Sequence, residues 1–299
     1  MARRSTSKRK KAGMNFKQIL TSGMVVAVII VLLYFGIQIF TVHSNTTKHT
    51  AIEPTEDVEE VEERFFEALP STENNKLLEV KLPKGCSSQY KEYTGFVLSF
   101  NIRNRVPNYV AYELTKAETQ GTEPRAKGFM QDESVKGCPT SEDYKNSGYD
   151  RGHMAPAGDM KWSEDAMHDS FYMTNICPQK KALNGGAWKR LEEKVRDWAQ
   201  RDGNIIVVTG PIFSDNMPTI GEGVAVPQKF FKALLEPNST PVKAIGFIYK
   251  NEGGQKIVGQ QAVCIDEIER QTGLDLFYQL PDELENKVEQ SCNYNQWNN

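Results

Sequence analysis

Read for apolar and polar positions alone, the chain falls into three stretches. From Ile19 to Phe40 no residue carries a charge, and Met24 to Phe35 is apolar throughout. A helix of about twenty apolar residues crosses the core of a bilayer, so 19–40 is expected to be a transmembrane helix. The competing expectation is a cleaved signal peptide, but the run is longer than a signal h-region and Thr41-Val42-His43-Ser44 is a poor cleavage site. From Thr41 to about Glu79 the sequence is polar and acidic. It predicts a flexible tether with an r.m.s. span of roughly 35 Å, interrupted by a short helix near Val61 to Leu69. From about Val80 the pattern is that of a folded domain. Phe96–Phe100, Tyr109–Leu114, Asn204–Thr209, Lys229–Leu235 and Lys243–Tyr249 read as strands. Helices are predicted over Ser163–Asp169, with Ser163 as N-cap, and over Asn184–Arg201, Ile265–Thr272 and Asp282–Gln290. In the second of these, Trp188, Leu191, Val195, Trp198 and Ala199 recur at helical spacing, which predicts a core face rather than a platform for stacking bases. The expected fold class is α+β: a central antiparallel sheet with helices on its faces.

Charge changes this picture at the ends of the chain. The 299 residues sum to a net charge of −3, but residues 1–18 are basic and free of acids. The positive-inside rule then puts the N-terminus in the cytosol and everything beyond residue 40 outside, periplasmic or extracellular. The expected organisation is a basic cytosolic tail (1–18), a span (19–40) anchored in the lipid bilayer, an acidic tether (41–79) and a folded domain (80–299). The acidic run reads as a solvated spacer, with nucleic-acid mimicry over a binding site as the alternative. Past Val80 the charges nearly balance, which argues against a tight nucleic-acid packaging protein. The five cysteines show no CxxC pair and no zinc spacing.

Candidate chemistry is concentrated in Tyr149-Asp150-Arg151-Gly152-His153-Met154. In an extended segment Arg151 and His153, two residues apart, leave on the same face. A guanidinium fork grips phosphate and an imidazole takes a proton from water. Taken alone, these four residues read equally well as a polar turn. Downstream stand Thr174-Asn175-Ile176-Cys177-Pro178-Gln179, then Asn184-Gly185-Gly186-Ala187-Trp188, then Leu191-Glu192. Later come Val207-Val208-Thr209-Gly210-Pro211, Ile265 to Glu269 and Thr272-Gly273-Leu274.

DRGH followed by TNxxPQ, Asn184 and Glu192 resembles the DNA/RNA non-specific endonuclease family, the ββα-metal nucleases that include Serratia-type and endonuclease G-type enzymes. The resemblance runs from about Tyr93 to about Leu280. It implies a ββα-metal motif on one side of the sheet and hydrolysis of DNA and RNA to 5′-phosphate products. It implies His153 as general base, Asn184 as direct ligand of a single Mg²⁺ (Mn²⁺ being an alternative ion), and Glu192 as a residue that holds the ion through water. Arg151 and an arginine from the loop 119–146 would bind the scissile phosphate; Arg125 is the candidate, with Lys127 or a merely solvated arginine as alternatives. Asp150 is expected to orient local backbone or Arg151, and Asn175 to fix the loop before the helix. The resemblance to secreted members implies a Cys264–Cys292 bridge. Cys86–Cys138 stays open, and Cys177 is expected to be a small buried residue. No helix-turn-helix or zinc finger reads bases, so weak sequence preference is expected. A homodimer is left open. The reading from another functional class is a membrane-tethered nucleic-acid binder without catalysis, serving uptake.

Overall fold

The computed structural model describes residues 74–255 and 258–298. The expected basic tail, the span at 19–40 and the helix near Val61 to Leu69 lie outside the described residues. Among those described, no helix is long and apolar enough to cross a membrane. The fold already includes Leu77 and Leu78, both buried, on a short 3-10 turn, Asn74–Leu78.

The strands are β1 (Gln89–Glu92), β2 (Val97–Asn101), β3 (Val106–Thr115), β4 (Asp150–His153), β5 (Ile176–Gln179), β6 (Asn204–Ile212), β7 (Thr219–Ile220), β8 (Val224–Ala225), β9 (Lys229–Glu236), β10 (Lys243–Lys250) and β11 (Ala262–Val263). Seven of them form the main sheet in the order β1-β2-β3-β6-β9-β10-β11, and every pairing in it is antiparallel. The helices are α1 (Glu164–Asp169), α2 (Lys189–Asp202), α3 (Ile265–Thr272) and α4 (Asp282–Glu289). This is the α+β architecture with a central antiparallel sheet that the pattern predicts.

The sheet is buried on both faces, and period-2 alternation assigns each strand residue to one of two cores. Val207 of β6 and Phe230 and Leu234 of β9 join Trp188, Leu191, Val195 and Trp198 from the α2 segment. Their sequence neighbours Ile206, Val208, Phe231, Ala233 and Leu235 join Ile265, Ile268, Leu284 and Val288 from α3 and α4. A central strand apolar on both sides has no polar positions to alternate with, which is why β6 appears in the sequence as the unbroken run Ile205 to Val208.

One element differs from its expected form. The helix expected from Asn184 begins as a wide π turn, Leu183–Trp188, in which Gly186 leaves helical geometry (φ −116°, ψ −109°) before α2 takes over at Lys189. Ser163 does cap α1, its Oγ accepting from the Ala166 N–H at 3.3 Å. Cys264 and Cys292 are joined. The open Cys86–Cys138 pairing is corrected: both are free thiols. Cys86 Sγ donates to Asn108 Oδ1 at 3.4 Å, while Cys138 is buried and receives the Asp132 N–H. Cys177 is also a free, fully buried thiol.

Candidate active site

β4 and β5 form a separate two-stranded antiparallel ribbon, in which Asp150 faces Gln179 and His153 faces Ile176. Gly152 is dictated by its neighbour. A Cβ there would stand 2.1 Å from Oε1 of Gln179, whose side chain is wholly buried. The turn after β4 is held by Asn175. Its Oδ1 accepts from the Ala155 N–H, and its Nδ2 donates to the carbonyls of Ala155 and Ser170, each at 2.9 Å. Asn175 therefore ties the exit of β4 to the end of α1, rather than fixing the loop before α2.

Arg151 and His153 both line a cavity of about 300 Å³, together with Arg125, Asn184 and Glu192. Lys127 is not among its lining residues. The His153 ring packs against those of Phe129 and Phe171, at centroid distances of 5.4 and 4.9 Å, and its Nε2 is buried without a hydrogen-bond partner. Burial, and secondarily the positive charge of Arg125, pull its pKa from 6.5 to about 3. The imidazole is thus neutral at physiological pH, the form that accepts a proton. The Arg125 guanidinium sits 4.9 Å from the Phe171 ring centre. Arg151 Nη2 donates to the Ser141 carbonyl at 2.5 Å, and its guanidinium lies near the rings of Phe129 and Tyr144.

Asp150 does something other than orient Arg151 or the local backbone. Its Oδ2 accepts from Asn184 Nδ2 at 3.1 Å. A carboxylate offers only acceptors, so this contact commits the nitrogen of the Asn184 amide and leaves the carbonyl oxygen as its free donor to a cation. The π turn carries Asn184 to the cavity wall. α2 brings Glu192 to the same cavity and adds Lys189 and Arg196.

Beneath them lies a charged layer. Arg196 Nη1 donates to Asp159 Oδ1 at 2.5 Å, and the Tyr112 hydroxyl donates to Asp159 Oδ2 at 2.7 Å. Lys232, on β9, is 0% exposed. Its ammonium lies 5.0 Å from the Trp188 ring centre and has no hydrogen-bond partner. Burial pushes Glu192 up and Lys232 down, and the attraction between the two opposes both shifts. Arg196 and Lys232 escaped the sequence reading. Arg196 stands four residues beyond Glu192, on one helix face with it. Lys232 is the one charge inside an otherwise apolar strand run, a signal in its own right.

Four cations (Arg125, Arg151, Lys189 and Arg196) face one carboxylate, Glu192, across the cavity, so the space is suited to a polyanion. The oxygen donors of Asn184 and Glu192 suit a hard cation such as Mg²⁺, which binds few protein groups and keeps much of its water.

Residues 73–283 match the DNA/RNA non-specific endonuclease family. The chain is 35% identical over 212 residues to the mitochondrial nuclease EXOG of Danio rerio, covering 64% of this chain and 61% of that protein. It is 33% identical over 204 residues to the mitochondrial endonuclease G of Homo sapiens, covering 62% and 69%. The chain thus spans about three fifths of the length of the EXOG relatives it matches. Its fold is similar to a solved EndoG/EndoGI complex, described as revealing the mechanism of EndoG inhibition, with a TM-score of 0.61 at 30% identity, covering 65% of this chain and 88% of that one. These relatives correct the expected periplasmic or extracellular location: they are mitochondrial nucleases. The longest described α-helix, α2, has 14 residues, short of the roughly twenty that a span requires. An acid-free basic start ahead of an apolar run does not by itself distinguish a membrane flank from a targeting segment.

Proposed function

The chain belongs to the DNA/RNA non-specific endonuclease family, and we propose that it hydrolyses phosphodiester bonds of DNA and RNA to 5′-phosphate products in the cavity between β4 and α2. The observation that carries this reading is the buried, neutral, unpartnered Nε2 edge of His153 beside an array of guanidinium groups. A group in that state is a proton acceptor in waiting. Arg151 and Arg125 hold the scissile phosphate and stabilise the charge that grows on it. His153 takes the proton of the attacking water. The phosphate's negative charge also offsets Arg125 and so makes the imidazole more basic while substrate is bound.

Asn184, its amide turned by Asp150, would be the direct ligand of a Mg²⁺ ion, for which Mn²⁺ could substitute, with Glu192 supporting the ion through water. Such an ion supplies Lewis-acid stabilisation of the phosphate and the leaving oxygen. Arg196, fixed by Asp159, presents a further cation to the phosphate chain. Every one of these contacts addresses phosphate or metal, which accounts for activity on both nucleic acids with little base preference. A binding-only role in uptake leaves His153 and the Asp150–Asn184 contact without a purpose.

The test is digestion of plasmid DNA and of structured RNA with Mg²⁺ and with EDTA. Wild-type protein is expected to cut both substrates only with the metal. His153→Ala should lower turnover by roughly 10² to 10⁴ at unchanged folding. Asn184→Ala should abolish calorimetric Mg²⁺ binding, and Glu192→Ala should weaken it. Equal rates for His153→Ala and wild type would refute the assignment of the base. Stronger loss of metal in Glu192→Ala than in Asn184→Ala would reverse the two ligand roles.

A further inference from the structure

On the face of the sheet opposite the cavity, three carboxylates converge. α3 presents Asp266 and Glu269, three residues apart and so on one side of the helix. α4 ends in Glu289. One oxygen from each lies within 4.8 Å of the other two. The Cys264–Cys292 bridge joins the residue before α3 to the segment just after α4. A covalent tie thus holds together helices whose acidic groups repel.

Glu289 is the telling member. It is 8% exposed, and its Oε1 is buried with no hydrogen-bond partner. Glu269 Oε1, by contrast, accepts from the Leu276 N–H at 2.6 Å. The largest charge effects on Glu289 come from acids: Glu269, Glu285, Asp266 and Asp275. The nearby cation Lys81 is engaged with Asp275 at 2.9 Å. Burial and this repulsion push Glu269 up to about 7 and Glu289 up to about 8. A buried carboxylate oxygen needs a proton, a donor or a cation, and the protein supplies Glu289 Oε1 with no donor.

We propose that Asp266, Glu269 and Glu289 form a binding site for a hard divalent cation, Ca²⁺ in preference, separate from the catalytic cavity. The donors are all oxygen, with no imidazole or thiolate, which disfavours zinc and copper. Ca²⁺ takes about six to eight oxygens in flexible geometry, and three carboxylates that bind through one or both oxygens, with water, provide them. Binding converts repulsion between α3 and α4 into attraction and clamps the C-terminal segment to the sheet.

The experiment is calorimetric titration of the full chain with CaCl₂, with thermal unfolding in parallel. The parent is Asn184→Ala, so that the catalytic cavity does not contribute. A Ca²⁺ binding event and a rise in melting temperature are expected in this parent. Both should be lost, or weakened by at least about tenfold in affinity, when Glu269→Gln and Glu289→Gln are added. The same pair in the otherwise wild-type chain should leave Mg²⁺-dependent cutting unchanged. Gln preserves size and removes repulsion, so metal-free melting at or above the parental temperature is expected; should the pair instead misfold, Asp266→Asn replaces it. An unchanged Ca²⁺ isotherm in the substituted protein, or no Ca²⁺ binding in the parent, would overturn the proposal: the first puts the ion elsewhere, and the second leaves the three acids held by protons alone.

Discussion

At the scale of single residues, the behaviour of His153 is set by two neighbours of different kinds. The rings of Phe129 and Phe171 exclude water, and Arg125 adds like charge; both disfavour the imidazolium. Arg125→Met removes only the second effect, so the His153 pKa should rise from its value of about 3 while staying below 6.5, and the acid limb of activity should move to higher pH. An NMR titration of the imidazole checks this; a pKa that stays put or falls would exclude Arg125 as a contributor. The same depression has a consequence for stability. As pH falls below 6.5, the unfolded chain binds a proton that folded His153 refuses until about pH 3, so stability attributable to this residue is lost across that window. The sequence disclosed Arg151 and His153 because two-residue spacing in a strand fixes a shared face. It left Arg125 beside Lys127 because a loop has no such period. It hid the role of Asp150, whose partner Asn184 is 34 positions away.

At the scale of elements, the β4–β5 ribbon depends on one steric fit. Gly152→Ala drives a methyl group into Gln179, which has nowhere to go because it is wholly buried. Overpacking of this kind costs about 1–3 kcal/mol. The expected result is a lower urea midpoint with an unchanged slope, together with loss of cutting, since Arg151 and His153 flank the displaced position. A midpoint equal to that of the parent would mean that Gln179 repacks freely. The main strands and α3 were legible because their apolar positions carry a clean period or an unbroken run. The start of α2 was not: Asn184, Trp188 and Leu191 fit helical spacing equally well whether the first turn is α or π. The difference lies in backbone hydrogen bonds, which side-chain periodicity does not record. Such a widened turn is a common device for carrying a functional side chain out of helical register, and here it carries Asn184.

At the scale of the molecule, the sheet divides the work between its faces. One core carries the α2 segment beside the cavity; the other carries α3 and α4, whose flanking residues the bridge links. The bridge closes a sequence separation of 28 residues, and its reduction should cost about 2–4 kcal/mol through the freedom returned to the unfolded chain. Thermal unfolding with and without a reductant measures this, and identical melting temperatures would show that noncovalent packing of α3 and α4 alone holds the C-terminal segment. The α+β class could be anticipated from the pattern of the chain, and the pairing of Cys264 with Cys292 from the family resemblance alone. The two-core partition could not, because it arises from strands far apart in sequence lying side by side. That partition also bears on the timing of synthesis. The cavity draws Arg125 from a loop, Arg151 and His153 from a ribbon, Asn184 from a π turn and Glu192 from a helix, and it rests on Lys232 in a central strand whose partners are β6 and β10. A growing chain on the ribosome therefore has no finished cavity until β9 has emerged and paired. On the proposed reading, the messenger being translated is itself a member of the substrate class, and the late arrival of Lys232 delays its exposure to the enzyme it encodes.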